Sequence, residues 1–390
     1  MSLERTIAVL ASIRYKQRMS DSPSHTAIFC KVVDNFGDIG VCWRLARQLA
    51  QEQGHVIALY VDDLASFARL EPEVNTHLPE QTLFGIQIIR WHEPFHVPQP
   101  LPNLVIETFS CRLPEALVAA LANADPVPRW VNLEHLTAED WAISSHGLIS
   151  VHPTTGLKRE FHIPGFAPAS GGLLREGALL HERDAFMADV TAQQHWWLNQ
   201  LGIRKPEGLM VSLFAYPYAP YPVLMQALRE RGQPVTLLVP ESVNHPALVN
   251  GHNIRLIRFP FLRQPDYDRL LWSCDLNFVR GEDSFIRALW AGKPFIWQAY
   301  AQSEDAHMSK VDAFLRLYTQ KMPQKCAEAL EFGHSLWNLS PAAAPEGLTL
   351  LLERLPELDS AARQASNALA AQQDCVSRLL RLPITERQTK

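Results

Sequence analysis

The chain has no paired cysteines of the kind that build a metal knuckle, a redox motif or a disulfide framework. Its six cysteines, at positions 30, 42, 111, 274, 326 and 375, include no C-x-x-C and are sparse, which fits a reducing cytoplasm. No apolar run approaches the roughly 18 to 20 residues that span a bilayer. The short apolar stretch 6–11 runs into Arg14, Lys16 and Arg18, where an export signal would need its cleavage region, so neither membrane insertion nor secretion is expected. Positive charge is not in excess either: the formal net charge is −5 and the pI about 6.3, which removes the broad electrostatic case for nucleic-acid binding. There is no G-x-G-x-x-G, hence no reason to read a dinucleotide cofactor. His92 and His96 are four apart, but Pro94 stands between them and breaks the helix that would aim both at one zinc ion.

What is present is 390 residues, 47% of them hydrophobic, enough for two or three domains with sizeable cores. The most informative stretch is 29–50. It begins as the short apolar run Phe29-Cys30-Lys31-Val32-Val33, passes through Asp34-Asn35-Phe36-Gly37-Asp38-Ile39-Gly40, and becomes a helical pattern with Val41, Leu45 and Leu49 on one face. A strand, a loop and a helix in that order place the loop at the carboxyl edge of an α/β sheet, where ligands bind. Gly37 and Gly40 permit a tight turn, and Asp34 and Asp38 have no lysine within the turn to neutralise them. Asp and Asn are also ordinary turn and cap residues, so local composition leaves both readings open.

Residues 1–26 read as a loose extension in which Met19 offers a second start. Strands are expected at 55–61, 86–91, 104–106, 129–133 and 147–151, and Asp62-Asp63 is read as a helix cap rather than a metal pair. Glu107, at the end of the 104–106 strand, is a second acidic candidate near the ligand edge. A helix over 182–201 and a Lys205-Pro206-Glu207-Gly208 hinge close the first half. The same alternation then restarts, with strands at 209–214, 235–239 and 254–259 and helices at 222–231 and 267–274. Repeated strand–helix units imply parallel sheets with helices on their faces.

A second informative stretch is 276–298. A strand ends at Val279, the turn Arg280-Gly281-Glu282-Asp283-Ser284 follows, Ser284 is the expected helix cap, Gly292 ends the helix, and Phe295 opens the next strand. A helix N-terminus beside an arginine suits a diphosphate. Helices are expected at 348–355 and 361–382. His307 reads as a structural histidine.

The strand-turn-helix and the Gly292-Lys293-Pro294 strand entry resemble the donor half of GT-B glycosyltransferases. In combination, Asp34 to Gly40 and Arg280 to Ser284 resemble the family of protein-arginine rhamnosyltransferases that modify elongation factor P, as do Val105 to Phe109, Ser170-Gly171-Gly172-Leu173 and Gln298 to His307. The likeness runs from about Ala27 to the last helices. It implies an α/β GT-B fold, two Rossmann-like domains facing across a cleft: an acceptor-side domain over 27–185, a linker over 186–207, a donor-nucleotide domain over 208–350, and helices over 351–390 returning to the first domain. It implies inverting transfer of L-rhamnose from dTDP-β-L-rhamnose to an arginine of elongation factor P, a factor that rescues ribosomes stalled at polyproline, with no cofactor or metal. By the matched motifs, Asp38 is the catalytic aspartate and Glu282 the second acidic residue. Asn35, Phe36 and Gly37 line the donor sugar, while Tyr216, Gln264, Arg280, Gly281, Asp283 and Ser284 hold the nucleotide. Phe214 and Tyr267 flank the thymine, and Asp34 and Glu107 are the acceptor-side candidates. Another GT-B nucleotide-sugar enzyme, or a nonenzymatic factor that binds elongation factor P or a nucleotide, is the alternative.

Overall fold

A computed structural model describes residues 24–33, 37–339 and 346–381; Asp34, Asn35, Phe36 and the 1–23 part of the extension lie outside them. The first half holds β1 (His25–Cys30), α1 (Gly37–Gln53), β2 (Val56–Val61), α2 (Leu64–Leu70), β3 (Glu80–Leu83), β4 (Ile86–Arg90), β5 (Leu104–Thr108), α3 (Glu115–Ala122), β6 (Arg129–Leu133), α4 (Trp141–Ser145), β7 (Ile149–Val151) and β8 (Lys158–His162). Its strands form one sheet in the order β3-β4-β2-β1-β5-β6-β8-β7. The inner pairings are parallel, and only the edge pairs β3–β4 and β7–β8 are antiparallel. Strands β3 and β8 are absent from the sequence reading. Both are built largely of exposed and half-buried residues, so neither offers the apolar run that marks a buried strand.

Two helices, α5 (Leu179–Ala188) and α6 (Val190–Leu201), lead into the second half. A single helix was expected over this span. Asp189 breaks it, because its carboxylate accepts the Ala192 N–H and caps a new helix at Val190. Trp196 and Trp197 of α6 pack with Met210, Leu238 and Phe259 of the second domain. There follow β9 (Leu209–Leu213), α7 (Tyr221–Glu230), β10 (Val235–Pro240), β11 (Ile254–Phe259), α8 (Gln264–Ser273), β12 (Leu276–Arg280), α9 (Glu282–Ala291) and β13 (Phe295–Gln298). This second sheet has the order β11-β10-β9-β12-β13 and is parallel throughout.

The remaining helices are α10 (His307–Tyr318), α11 (Gln324–Asn338), α12 (Glu346–Glu353), α13 (Leu355–Ala370) and α14 (Cys375–Leu379). Leu351, Leu352, Leu355 and Leu358 pack into the core of the second domain. The return to the first domain is made by α14, whose Cys375, Val376 and Leu379 pack with residues of β1, β2 and α1.

In each sheet the chain turns outward in both directions from one place. The first switch lies between β1 and β5, the second between β9 and β12. Ligands bind at such points, beyond the carboxyl ends of the strands, because loops running to opposite faces leave a crevice there. Both crevices open toward the same gap between the domains.

Candidate active site

At the first switch point, β1 runs into a loop whose backbone is pinned by two aspartates: Val32 N–H donates to Asp62 (2.8 Å) and Val33 N–H to Asp38 Oδ2 (2.8 Å). Asp38 sits in the first turn of α1, where negative charge is favoured, and is 4% exposed. Asp63 is the cap of α2, accepting from the Ala65 and Ser66 N–H groups.

At the second switch point, Gly281 carries the chain from β12 into α9 with φ +67, a conformation costly for a residue with a Cβ. The expected cap at Ser284 is displaced. Gly281 is the N-cap, and the helix begins at Glu282 with no side chain capping it. The first N–H groups of α9 therefore face a cavity of about 730 Å3, counting its open mouth, lined by Gly37 from the first domain and by Phe214, Tyr216, Gln264, Tyr267 and Gly281 to Ser284 from the second. Arg280 lies between the rings of Phe214 (4.6 Å to the centroid) and Tyr216 (4.4 Å), and its buried Nε has no hydrogen-bond partner among the described residues. The two rings hold the guanidinium over the cavity by cation–π attraction.

Phe214 and Tyr267 meet edge to face, with centroids 6.3 Å apart and planes at 76°. They form a corner against which a base can pack, rather than parallel walls with a base between. Gln264 is buried and donates Nε2–H to Asp283 Oδ2 (3.0 Å). A carboxylate only accepts, so the amide must turn its NH2 toward it. That leaves Oε1, buried and unpartnered among the described residues, as an acceptor for a ligand N–H.

The two helix N-termini are bolted together. Arg44 of α1, almost fully buried, donates from Nε and Nη2 to Glu176 (2.7 and 2.6 Å) and from Nη1 to Asp283 (3.0 Å). Arg287 donates to Asp283 (3.0 Å) and to Asp268 (2.8 Å). Gly40 permits this approach, since a Cβ there would come within 3.1 Å of Asp283 Oδ2. Burial works against the ionised form of every acid in the group. For Asp283 the charges of Arg287 and Arg44 outweigh it and lower the pKa; for Glu176 the charge of Arg44 prevails and the pKa falls to about 2. For Asp268 burial prevails over Arg287 and lifts it to about 6.

Glu282 does not join that group. It reaches back to the first domain, where His135, just past β6, shares a hydrogen bond with it (Nδ1 to Oε2, 3.2 Å). The imidazole lies flat on Phe109, centroids 4.1 Å apart and planes within 10°. Phe109, Ser110 and Arg112 all adopt left-handed φ, +53, +54 and +61, strain that tends to be kept where a loop serves a site. His135 was passed over in the sequence because a single histidine after a strand carries no spacing signal.

Glu107 is placed elsewhere. It is fully buried, accepts from Arg112 N–H (2.9 Å), Trp130 Nε1–H (3.1 Å) and Arg159 (3.3 Å), and follows Val105 onto the sheet face opposite α1. No exposed carboxylate is left there for an acceptor. His307, also buried, is bonded to Gln302 N–H and lies 3.3 Å from the Asn338 carbonyl. No described helix is long and apolar enough to cross a membrane.

Comparison with known proteins adds the following. Residues 26–383 match the family model described as "Elongation-Factor P (EF-P) rhamnosyltransferase EarP". A protein-arginine rhamnosyltransferase of Pseudomonas aeruginosa is 43% identical over 370 residues, covering 90% of this chain and 97% of that protein. One of Shewanella oneidensis is 40% identical over 365 residues, covering 84% and 92%. A solved structure described as the structural basis for EarP-mediated arginine glycosylation of translation elongation factor EF-P superposes with a TM-score of 0.62 at 31% identity, covering 92% of this chain and 97% of that one. The spinosyn forosaminyltransferase SpnP, at 13% identity and a TM-score of 0.51, shares the fold. The architecture is GT-B.

Proposed function

Because the chain belongs to the EarP family of elongation-factor P rhamnosyltransferases and is a protein-arginine rhamnosyltransferase, we propose that it transfers L-rhamnose from dTDP-β-L-rhamnose to one arginine of elongation factor P. Transfer inverts the anomeric carbon, takes place in the cytoplasm without a metal, and prepares the factor for ribosomes stalled at polyproline. The observation that carries this reading is the shared cavity: Gly37, next to Asp38, lines the same space as Arg280 and Glu282.

The donor is held by the second domain. Its diphosphate lies at the uncapped N-terminus of α9 beside Arg280, where unpaired N–H groups and a planar cation meet the charge of the leaving group. The thymine packs into the corner of Phe214 and Tyr267 and gives its imide N–H to Gln264 Oε1. Tyr216, Gly281, Asp283 and Ser284 complete the nucleotide side, and Asn35, Phe36 and Gly37 the sugar side.

The acceptor poses a proton problem. A guanidinium has a pKa above about 12 and an ordinary aspartate one near 4, so Asp38 cannot deprotonate it beforehand. Asp38 instead pairs with the cation, orients it, and takes a proton as the nitrogen forms its bond to the anomeric carbon. The bond from that carbon to the diphosphate oxygen breaks in the same step, and dTDP leaves with the electron pair. Glu282 steadies the same cation.

Incubating the protein with dTDP-rhamnose and purified elongation factor P, followed by intact-mass and peptide spectrometry, is expected to show one deoxyhexose on a single arginine. Modification of a small acceptor alone would establish a different GT-B transferase, and a stable complex without mass gain a binding factor.

A further inference from the structure

Glu282 is the only acid of the α9 turn that turns away from the arginine network, and what it meets is His135. Four observations converge on that contact. It joins the domains directly across the cleft, from the end of β6 to the first residue of α9. The imidazole is fixed in plane by its stack on Phe109. The loop bearing Phe109 holds three non-glycine residues at left-handed φ. And the bonded group is a carboxylate on the wall of the donor cavity.

We infer that His135 is a positioning residue that holds Glu282 in place and yields its oxygen to the guanidinium of the acceptor. The inference rests on the proposed reaction, because it needs a cationic acceptor. Arginine presents a planar fork of N–H donors that matches both oxygens of a carboxylate. His135 Nδ1 sits on one of those positions, on Oε2, so an arginine that grips Glu282 with two bonds takes the place of the imidazole.

The charge of the imidazole sets how hard that exchange is. Lying in the cleft costs imidazolium some hydration, a limited loss because half of the side chain (51%) stays exposed, and the hydrogen bond to Glu282, its charge and that of Asp38 outweigh it and leave the pKa of His135 above its ordinary value, with Lys310 opposing. The charged groups around the ring are thus Glu282 on α9, Asp38 on α1 and Lys310 on α10, with Glu134 beside it in the chain bonded to Ser110 and Asn132. Protonated, His135 holds Glu282 as an ion pair and repels a second cation; neutral, it still donates Nδ1–H to Glu282 but by a weaker bond that the acceptor displaces.

The test is rhamnose transfer to elongation factor P, with kcat and acceptor KM measured from about pH 5.5 to 9, across the ordinary histidine range. The wild-type protein is expected to show an acceptor KM that rises as pH falls through the raised pKa of His135, while the pH dependence of dTDP affinity is the same in the wild type and in His135→Asn. His135→Asn puts an amide nitrogen where Nδ1 was, so it should keep most of kcat and lose that limb of the KM profile. His135→Ala should lose about tenfold or more in kcat, because Glu282 is no longer held, and dTDP binding by each variant reports that it is folded. A KM limb that persists in His135→Asn, or an unimpaired His135→Ala, overturns the inference and leaves the proposed reaction standing. A wild-type protein that transfers nothing overturns the proposed reaction and this inference with it.

Discussion

The two strand-turn-helix units that meet in the cleft have the same shape and opposite chemistry. At β1–α1 an aspartate occupies the first turn of the helix and reaches back to bond the Val33 N–H of its own loop. At β12–α9 a glycine occupies the cap, so the helix N–H groups stay unclaimed. Asp283 in the first turn is bonded by two buried arginines, Arg44 and Arg287, and a third, Arg280, is poised over the cavity by two aromatic rings. One helix end thus carries an acid and the other leaves its N–H groups open to an anion. The same backbone dipole supports both, since a helix N-terminus favours a carboxylate of its own as readily as a phosphate from a ligand. Side chains decide which it gets.

Four changes break or sharpen this contrast. The largest effect is expected from Asp38→Asn, which should lower turnover about 100- to 10,000-fold, the range for losing a general base, with dTDP affinity preserved in calorimetry. Loss of dTDP binding as well would put Asp38 on the nucleotide side and erase the distinction between the two ends. Next is Arg44→Met. It leaves Asp283 and Glu176 without their shared partner, and an ion network broken from one side costs about 3 to 5 kcal/mol, read as a lower midpoint in denaturant.

Arg280→Ala comes third. Losing a charge-assisted contact should weaken dTDP by about 2 kcal/mol, roughly 30-fold in Kd, with less effect on folding because Arg280 lines the cavity and is not part of the core. An unchanged Kd would remove Arg280 from the anion seat. The smallest effect is on acid stability. The carboxyl of Glu176 is held down to about 2, so its stabilising contribution is complete above the ordinary glutamate value near 4.3 and is lost as pH falls from there toward 2. Glu176→Gln should flatten stability against pH over that window.

The alternation of elements could be read along the chain wherever a strand is buried on both faces. Residues 129–133 and 235–239 are strands as expected, because a parallel sheet leaves a short apolar run between polar turns; 254–259 is also a strand as expected, at the sheet edge, with Arg255 and Arg258 exposed between its apolar residues. The edge hairpins were hidden for the converse reason: Glu80–Leu83 and Lys158–His162 carry charged and polar residues that only pairing with a neighbour makes extended. The break at Asp189 was missed because an aspartate inside a helical pattern is common and only its bond to Ala192 N–H makes it a cap. Glu107 misled for a similar reason. Its place at the end of a strand was right, but the direction of its side chain depends on which face of the sheet each parity meets, and Trp130 and Arg159 waited on the far side.

The sequence by itself determined the two candidate turns, because Asp38 at the start of one helix and Arg280-Gly281 before another are local patterns whose meaning follows from strand, turn and helix geometry. Only the tertiary structure decided that these turns face each other. That takes contacts between residues more than a hundred positions apart, Arg44 with Asp283 and His135 with Glu282, and no periodicity records them, since a buried arginine or a lone histidine shows its purpose only once its partner has folded against it.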